Sequence, residues 1–111
     1  MKSDETYLRH ILEMVRRMEE NASQGRPAFM ASHTLQDAIF RNLQTMAETT
    51  QRLSAELKTT RPDVEWPRIA ALRNVLVHDY LGIDLDRVWE IVQNDVPRLK
   101  IAIMEMLEDI P

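Results

Sequence analysis

Within the run Arg73-Asn74-Val75-Leu76-Val77-His78-Asp79-Tyr80 stand several side chains that can bind or process a phosphate. Arg73 can fork onto two phosphate oxygens, and His78 is the residue type that changes charge near neutral pH. Asn74 can orient a neighbour by hydrogen bonding, and Tyr80 offers a phenolic hydroxyl. At about 100° per residue, Asn74 and His78 lie about 40° apart on a helix and share a face. Arg73 and Tyr80 lie about 20° apart on another face, and Arg73 and His78 are separated by about 140°. One straight helix therefore cannot aim Arg73 and His78 at one atom. Either the helix distorts near His78, or a second copy of the chain completes the site; the second is the preferred expectation.

Bland roles exist for each residue. His78 could cap the carbonyls at a helix end, and Arg73 could bridge to Glu48 or Asp79. Tyr80 could be a core residue with a satisfied hydroxyl, although its place beside Gly82 suits an exposed one. Glu48 and Arg41, further candidates for a supporting role, also fit a solvated helix face.

The spacing Arg, four residues, His, one residue, Tyr, with Asn directly after the Arg, resembles the signature of HEPN domains. Within them it is most similar to the HepT-like branch, toxins paired with a minimal nucleotidyltransferase antitoxin. The similarity runs through the long second helix, the Trp66-to-Tyr80 segment and the Gly82-Ile83-Asp84 turn. It implies an all-helical homodimer that cleaves RNA without a metal or other cofactor, using Arg73 and His78. It also implies that the cognate antitoxin silences the chain by attaching AMP to Tyr80. In that chemistry an RNA 2′-hydroxyl attacks the adjacent phosphorus, with His78 as general base or acid and Arg73 on the phosphoryl oxygens. Asn74 would orient His78 or the phosphate, and Asp79 would support the site. Each nucleotide on Tyr80 would add bulk and about one negative charge beside Arg73.

Composition fits that frame. A chain of 111 residues makes one domain, 1–111, with one helical core. With only 2 glycines and 5 prolines, little material is left for the tight turns of a sheet-rich fold. The 44% hydrophobic and 29% charged content is that of a globular chain. No apolar run is long enough to span a bilayer and no signal peptide is visible, so a soluble, cytoplasmic protein is expected. The absence of cysteine excludes disulfides, thiolate metal sites and cysteine nucleophiles. The formal charge of −4 is unusual for an RNA-cutting protein. Residues 1–83 are balanced; in 84–111, Arg87, Arg98 and Lys100 are outnumbered by acids. Phosphate contact must then come from local arginines, with the acidic tail half facing elsewhere.

The elements that would hold the motif can be read from apolar spacing. Helix one is expected to start after Ser3 or Asp4 as a cap, to carry the stripe Leu8, Ile11, Leu12, Val15, Met18, and to end at Gln24-Gly25-Arg26-Pro27. Arg9, Arg16 and Arg17 fall on its polar side. Helix two is expected as one long run from Ala28 or Ser32 to Lys58. Its seam is Leu35, Ile39, Leu43, Met46, Thr50, Leu53 and Leu57. A polar loop with Pro62 leads to Pro67 in the first turn of helix three, where Ile69, Leu72 and Leu76 form a core stripe. Small and semi-polar residues cover the rest of that helix, as burial on two sides would require. Asp84 is expected to cap the next helix, with a break or kink at Asn94-Asp95-Val96-Pro97. Trp66 and Trp89 read as core or interface anchors, and the 7 methionines as core filler. The fold expected is an all-α, up-and-down, four- or five-helix bundle of HEPN type.

Several classes are absent. His10, His33 and His78 lack the spacing of a metal site, and His10 and His33 read as surface residues. There is no glycine-rich phosphate loop, no calcium loop, and no basic recognition helix for specific DNA binding. The leading expectation is a HepT-like ribonuclease toxin of a type VII-like system. The alternatives are a non-catalytic helical module that binds a nucleotide or docks onto a nucleotidyltransferase, and a structural dimerisation bundle.

Overall fold

The apolar stripes of the first two long segments meet as one core. In the computed structural model, which describes residues 2–77 and 84–111 without the side chains of Lys2 and residues 73–77, every regular element among the described residues is helical. The order is α1 (Lys2–Ala22), α2 (Arg26–Ala31), α3 (His33–Gln51), α4 (Ala55–Thr59), α5 (Trp66–Val77), α6 (Leu85–Glu90) and α7 (Val96–Asp109). A π-helical turn, Ile91–Asp95, joins α6 to α7. α3 is the central rod: α1 and α5 both pack along it, and α7 packs on α1. Leu8, Ile11, Val15 and Met18 of α1 meet Ile39, Leu43, Met46 and Thr50 of α3, all buried. Val88, Ile91, Val92, Leu99, Ile103 and Met106 close the core from the other side. This is the expected all-α bundle, with Leu12 only partly buried and Met104 exposed instead of filling the core.

The single long second helix is instead three. Ser32 ends α2 and caps α3, its hydroxyl accepting from the Leu35 amide at 3.2 Å. After Gln51 the chain breaks, and Ser54 caps α4 by accepting from the Leu57 amide at 3.1 Å. The apolar seam survives the break because Leu53 stays buried within the joint. Helix periodicity alone cannot show such a break, since the stripe continues through it.

Asp4 does not cap its own helix, because α1 already begins at Lys2. Its carboxylate, only 4% exposed, accepts from the Ser54 amide at 2.9 Å and from the Ser54 hydroxyl at 2.7 Å. Burial pushes this carboxyl up, but the two Ser54 hydrogen bonds more than offset it and hold the group below its ordinary value. One buried anion thus ties the start of α1 to the α3–α4 joint.

Two punctuation marks behave differently. Gly25, at φ +94°, makes the left-handed turn between α1 and α2 that a side chain would strain. Pro97 does not break the last helix. The wide turn before it, closed by the Val96 amide on the Ile91 carbonyl, takes up the proline while keeping Val92, Val96 and Leu99 on the core.

Candidate functional site

The motif helix is held firmly at its base. Trp66 opens α5, and its indole Nε1 donates to the carbonyls of Lys58 and Arg61, each at 3.2 Å. Both carbonyls also accept backbone amides, Lys58 from Arg61 and Arg61 from Val64, each at 3.1 Å, so the indole adds a second donor to the turn that follows α4. Arg61 forks onto Asp63 at 2.8–2.9 Å, and reaches Glu105 of α7 at 3.0 Å. Its hydrogen bond to Asp63 above all keeps this guanidinium charged well beyond the usual range. Arg68, on the first turn of α5, pairs with Glu65 at 3.2 Å and with Asp95 of the π turn at 3.6 Å. Ile69 and Leu72 pack against the core below. The sequence marked this stretch only as a polar loop and a helix start; the sequence-distant acids Asp95 and Glu105 complete the clamp.

α5 is helical through Val77, so Arg73 and Asn74 stand on its last two turns, with their side chains outside the description. His78, Asp79 and Tyr80 lie outside the described residues. The chain is anchored again on the far side of the motif. Asp84 caps α6 as expected, Oδ1 accepting from the Arg87 amide at 3.2 Å. Arg26 of α2 pairs with Asp86. Trp89 lies against Phe29, with ring centroids 5.4 Å apart at 35°. Both tryptophans are therefore core anchors, in keeping with the plainer reading.

Arg41 and Glu48, the supporting candidates, are both exposed on α3, the helix against which α5 packs. Seven residues apart, they are about 20° from each other on the helix wheel and share a face. His33 opens α3 at the surface, and His10 is exposed but engaged: its Nδ1 lies 2.9 Å from the Thr49 hydroxyl. That hydroxyl already donates to the Thr45 carbonyl, so the His10 Nδ1–H is the donor. Among the described residues, no three His, Asp or Glu side chains converge as a metal cluster would require. Nor is any helix among them long and apolar enough to cross a membrane.

Two grooves flank this scaffold. The larger, ≈ 540 Å³, runs between the base of α5 and α7 over a floor that includes Ile69, Leu72 and Leu99, with Arg61, Arg68 and Asp95 at its rim. The smaller lies between α1 and α3 and includes Arg41. Its α1 residues, Arg16, Arg17 and Asn21, were legible in the sequence only as a polar helix face.

The arrangement is a helical platform in which α5, clamped at its base, carries positions 73 and 74. Comparison with known proteins gives that platform a family. Residues 9–106 match the family model described as "Ribonuclease HepT-like". The chain is 33% identical over 98% of its length to a Methanocaldococcus jannaschii protein named "Gamma-glutamylcyclotransferase and putative RNase", of which it spans 50%. It is 28% identical to a "Putative RNase" of Caldanaerobacter subterraneus, covering 97% of each chain. It is 29% identical to the "Probable ribonuclease HepT" of Thermococcus cleftensis, over 89% of this chain and 91% of that one. No solved structure gives a significant match. The matched region takes in all of the helical core but Leu8, together with the Arg73–Tyr80 motif, and the chain belongs to the HepT-like ribonuclease family.

Proposed function

We propose that this chain is a metal-independent endoribonuclease that acts as a homodimer, the toxin of a toxin–antitoxin pair. The family match over residues 9–106, with its ribonuclease-named relatives, carries the reading. Arg73 and His78 are the catalytic residues, and Asn74 orients His78 or the phosphate. His78 of one copy draws the proton from an RNA 2′-hydroxyl as its oxygen attacks phosphorus, and the P–O5′ bond breaks as the protonated His78 of the second copy gives the 5′-oxygen a proton. Arg73 neutralises the charge that builds on the phosphoryl oxygens. The described helix supports this division. With α5 helical through Val77, Arg73 and a continuing helix at His78 would diverge by about 140°, which a facing second copy resolves.

Tyr80 is proposed as the site at which a cognate minimal nucleotidyltransferase attaches AMP. The adduct would place phosphate charge beside Arg73 and occupy the site in place of RNA. Glu48 and Asp79 support the motif itself, Arg41 supports the reaction by holding substrate RNA on α3, and the cytoplasm is the compartment. Replacing His78 with alanine should abolish cleavage of single-stranded RNA and leave the dimer folded. Undiminished cleavage would refute the assignment, whereas RNA binding without cleavage by the unaltered chain would favour a docking module. For Tyr80, intact mass after co-expression with the nucleotidyltransferase should rise by whole AMP increments and should not rise in Tyr80→Phe.

A further inference from the structure

The groove between the C-terminal half of α1 and the middle of α3 holds ≈ 430 Å³ and is lined by Arg16, Arg17, Glu20, Asn21, Arg41 and Asn42 around Ala38. Its cations are not equally engaged. Arg16 gives Nε and Nη2 to Glu13 and Nη1 to Glu20, at 2.8–3.0 Å, which neutralises the one carboxylate on the groove wall. Arg17 gives only Nε to Glu13, at 2.9 Å, leaving both terminal nitrogens for a ligand. Arg41 is exposed and has no carboxylate partner among the described residues. Glu13, drawn down to about 2 by hydrogen bonds from Arg16 and then Arg17, stays ionised and holds the Arg17 fork in place.

Asn42 supplies the second observation. It is only 6% exposed, yet its carboxamide has no hydrogen-bond partner among the described residues. No fully enclosed side-chain nitrogen or oxygen among them lacks a partner, so this carboxamide must reach the open space of the groove. An amide held in place by burial, with its polar atoms open to the groove and used by no protein group, keeps both donor and acceptor for a ligand. Two guanidinium groups, Arg17 and Arg41, and two carboxamides, Asn21 and Asn42, then face one cavity. That donor set suits a single oxyanion carrying about one charge, as a phosphodiester does.

We propose that this groove binds a backbone phosphate of single-stranded RNA, a second contact with the substrate apart from the Arg73–His78 motif. The proposal rests on the reading that RNA is the substrate. It also answers the charge problem: an acidic chain holds RNA through a local cluster of arginines with free forks.

The test is fluorescence anisotropy of a labelled 2′-O-methyl oligoribonucleotide, which lacks the attacking hydroxyl and reports binding without cleavage. In the full chain, Arg17→Gln with Arg41→Gln should raise Kd about tenfold and lower the salt dependence by about one phosphate contact. The control pair Arg9→Gln with Arg98→Gln removes the same charge elsewhere and should change Kd by less than about twofold. Arg41→Lys in place of Arg41→Gln should restore part of the loss, and thermal melting by circular dichroism verifies that each variant folds. Equal weakening by both pairs, unchanged binding in the groove pair, or no binding by the unaltered chain would overturn the proposal. Displacement of the RNA by inorganic phosphate or AMP at equal concentration would also overturn it, assigning the groove to small anions. Because the probe cannot be cut, absence of nuclease activity would remove the catalytic reading and leave this binding result standing.

Discussion

The two flanks of α3 use arginine in opposite ways. On the α5 flank, Arg61 and Arg68 are matched to Asp63, Glu105, Glu65 and Asp95, and they fasten the base of the motif helix to α7 and the π turn. On the α1 flank, Arg17 keeps free terminal nitrogens, Arg41 lacks an acid among the described residues, and Asn42 lacks a partner among them. An arginine saturated by carboxylates positions an element; one with free donors is poised for a ligand. In this account catalysis belongs to the helix on the clamped flank and substrate holding to the open one.

The sharpest way to break that contrast is to separate turnover from binding. His78→Ala should lower cleavage by about two to four orders of magnitude, measured in single-turnover assays. It should retain binding of the uncleavable RNA probe; joint loss of both would merge the two flanks. Arg73→Ala should cost about two to three orders of magnitude in rate, as removal of a donor to developing phosphoryl charge does.

Stability probes the scaffold side. Asp4→Ala removes a buried anion that accepts two hydrogen bonds from Ser54, and should cost about 1.5–3 kcal/mol in denaturant unfolding. Because the folded carboxyl lies below its ordinary value of 3.8, its contribution is present above that value and is lost as pH falls through the folded one. The difference in stability between unaltered chain and Asp4→Asn should therefore shrink on acidification below about pH 4. The smallest effect is expected at Arg61→Ala, about 1 kcal/mol, since Asp63 and Glu105 are largely exposed and solvent screens the pairs. A loss there with RNA binding intact would sharpen the distinction between clamping and holding arginines.

What could be read in the sequence followed the range of each signal. The core faces of α1 and α3 were legible because burial recurs every three or four residues, and Leu8, Ile11, Ile39 and Leu43 obey that rule. Asp84 was legible as a cap because capping is local. The Asp4–Ser54 tie was not, since a carboxylate that looks like an N-cap gives no sign of a partner at the far end of the bundle. The break at Arg52–Ser54 was hidden by Leu53, which keeps the apolar stripe in phase. Asn94–Pro97 was read as a break or kink because the missing proline amide is visible; that the distortion takes the form of a π turn just before it is not. For the site, the motif itself was legible from residue types and spacing. The groove was not, because Arg16, Arg17 and Asn21 share a polar helix face with ion-paired neighbours, and only packing against Ala38 and Asn42 distinguishes them.

The most direct test of the central claim is end-group analysis of the RNA fragments made by the purified chain in the presence of a chelator. Attack by the 2′-hydroxyl under His78 and Arg73 should leave 2′,3′-cyclic phosphate ends, and a substrate with a 2′-deoxy sugar at the cut should resist. Fragments with free 3′-hydroxyl ends, or cleavage that the chelator abolishes, would contradict it.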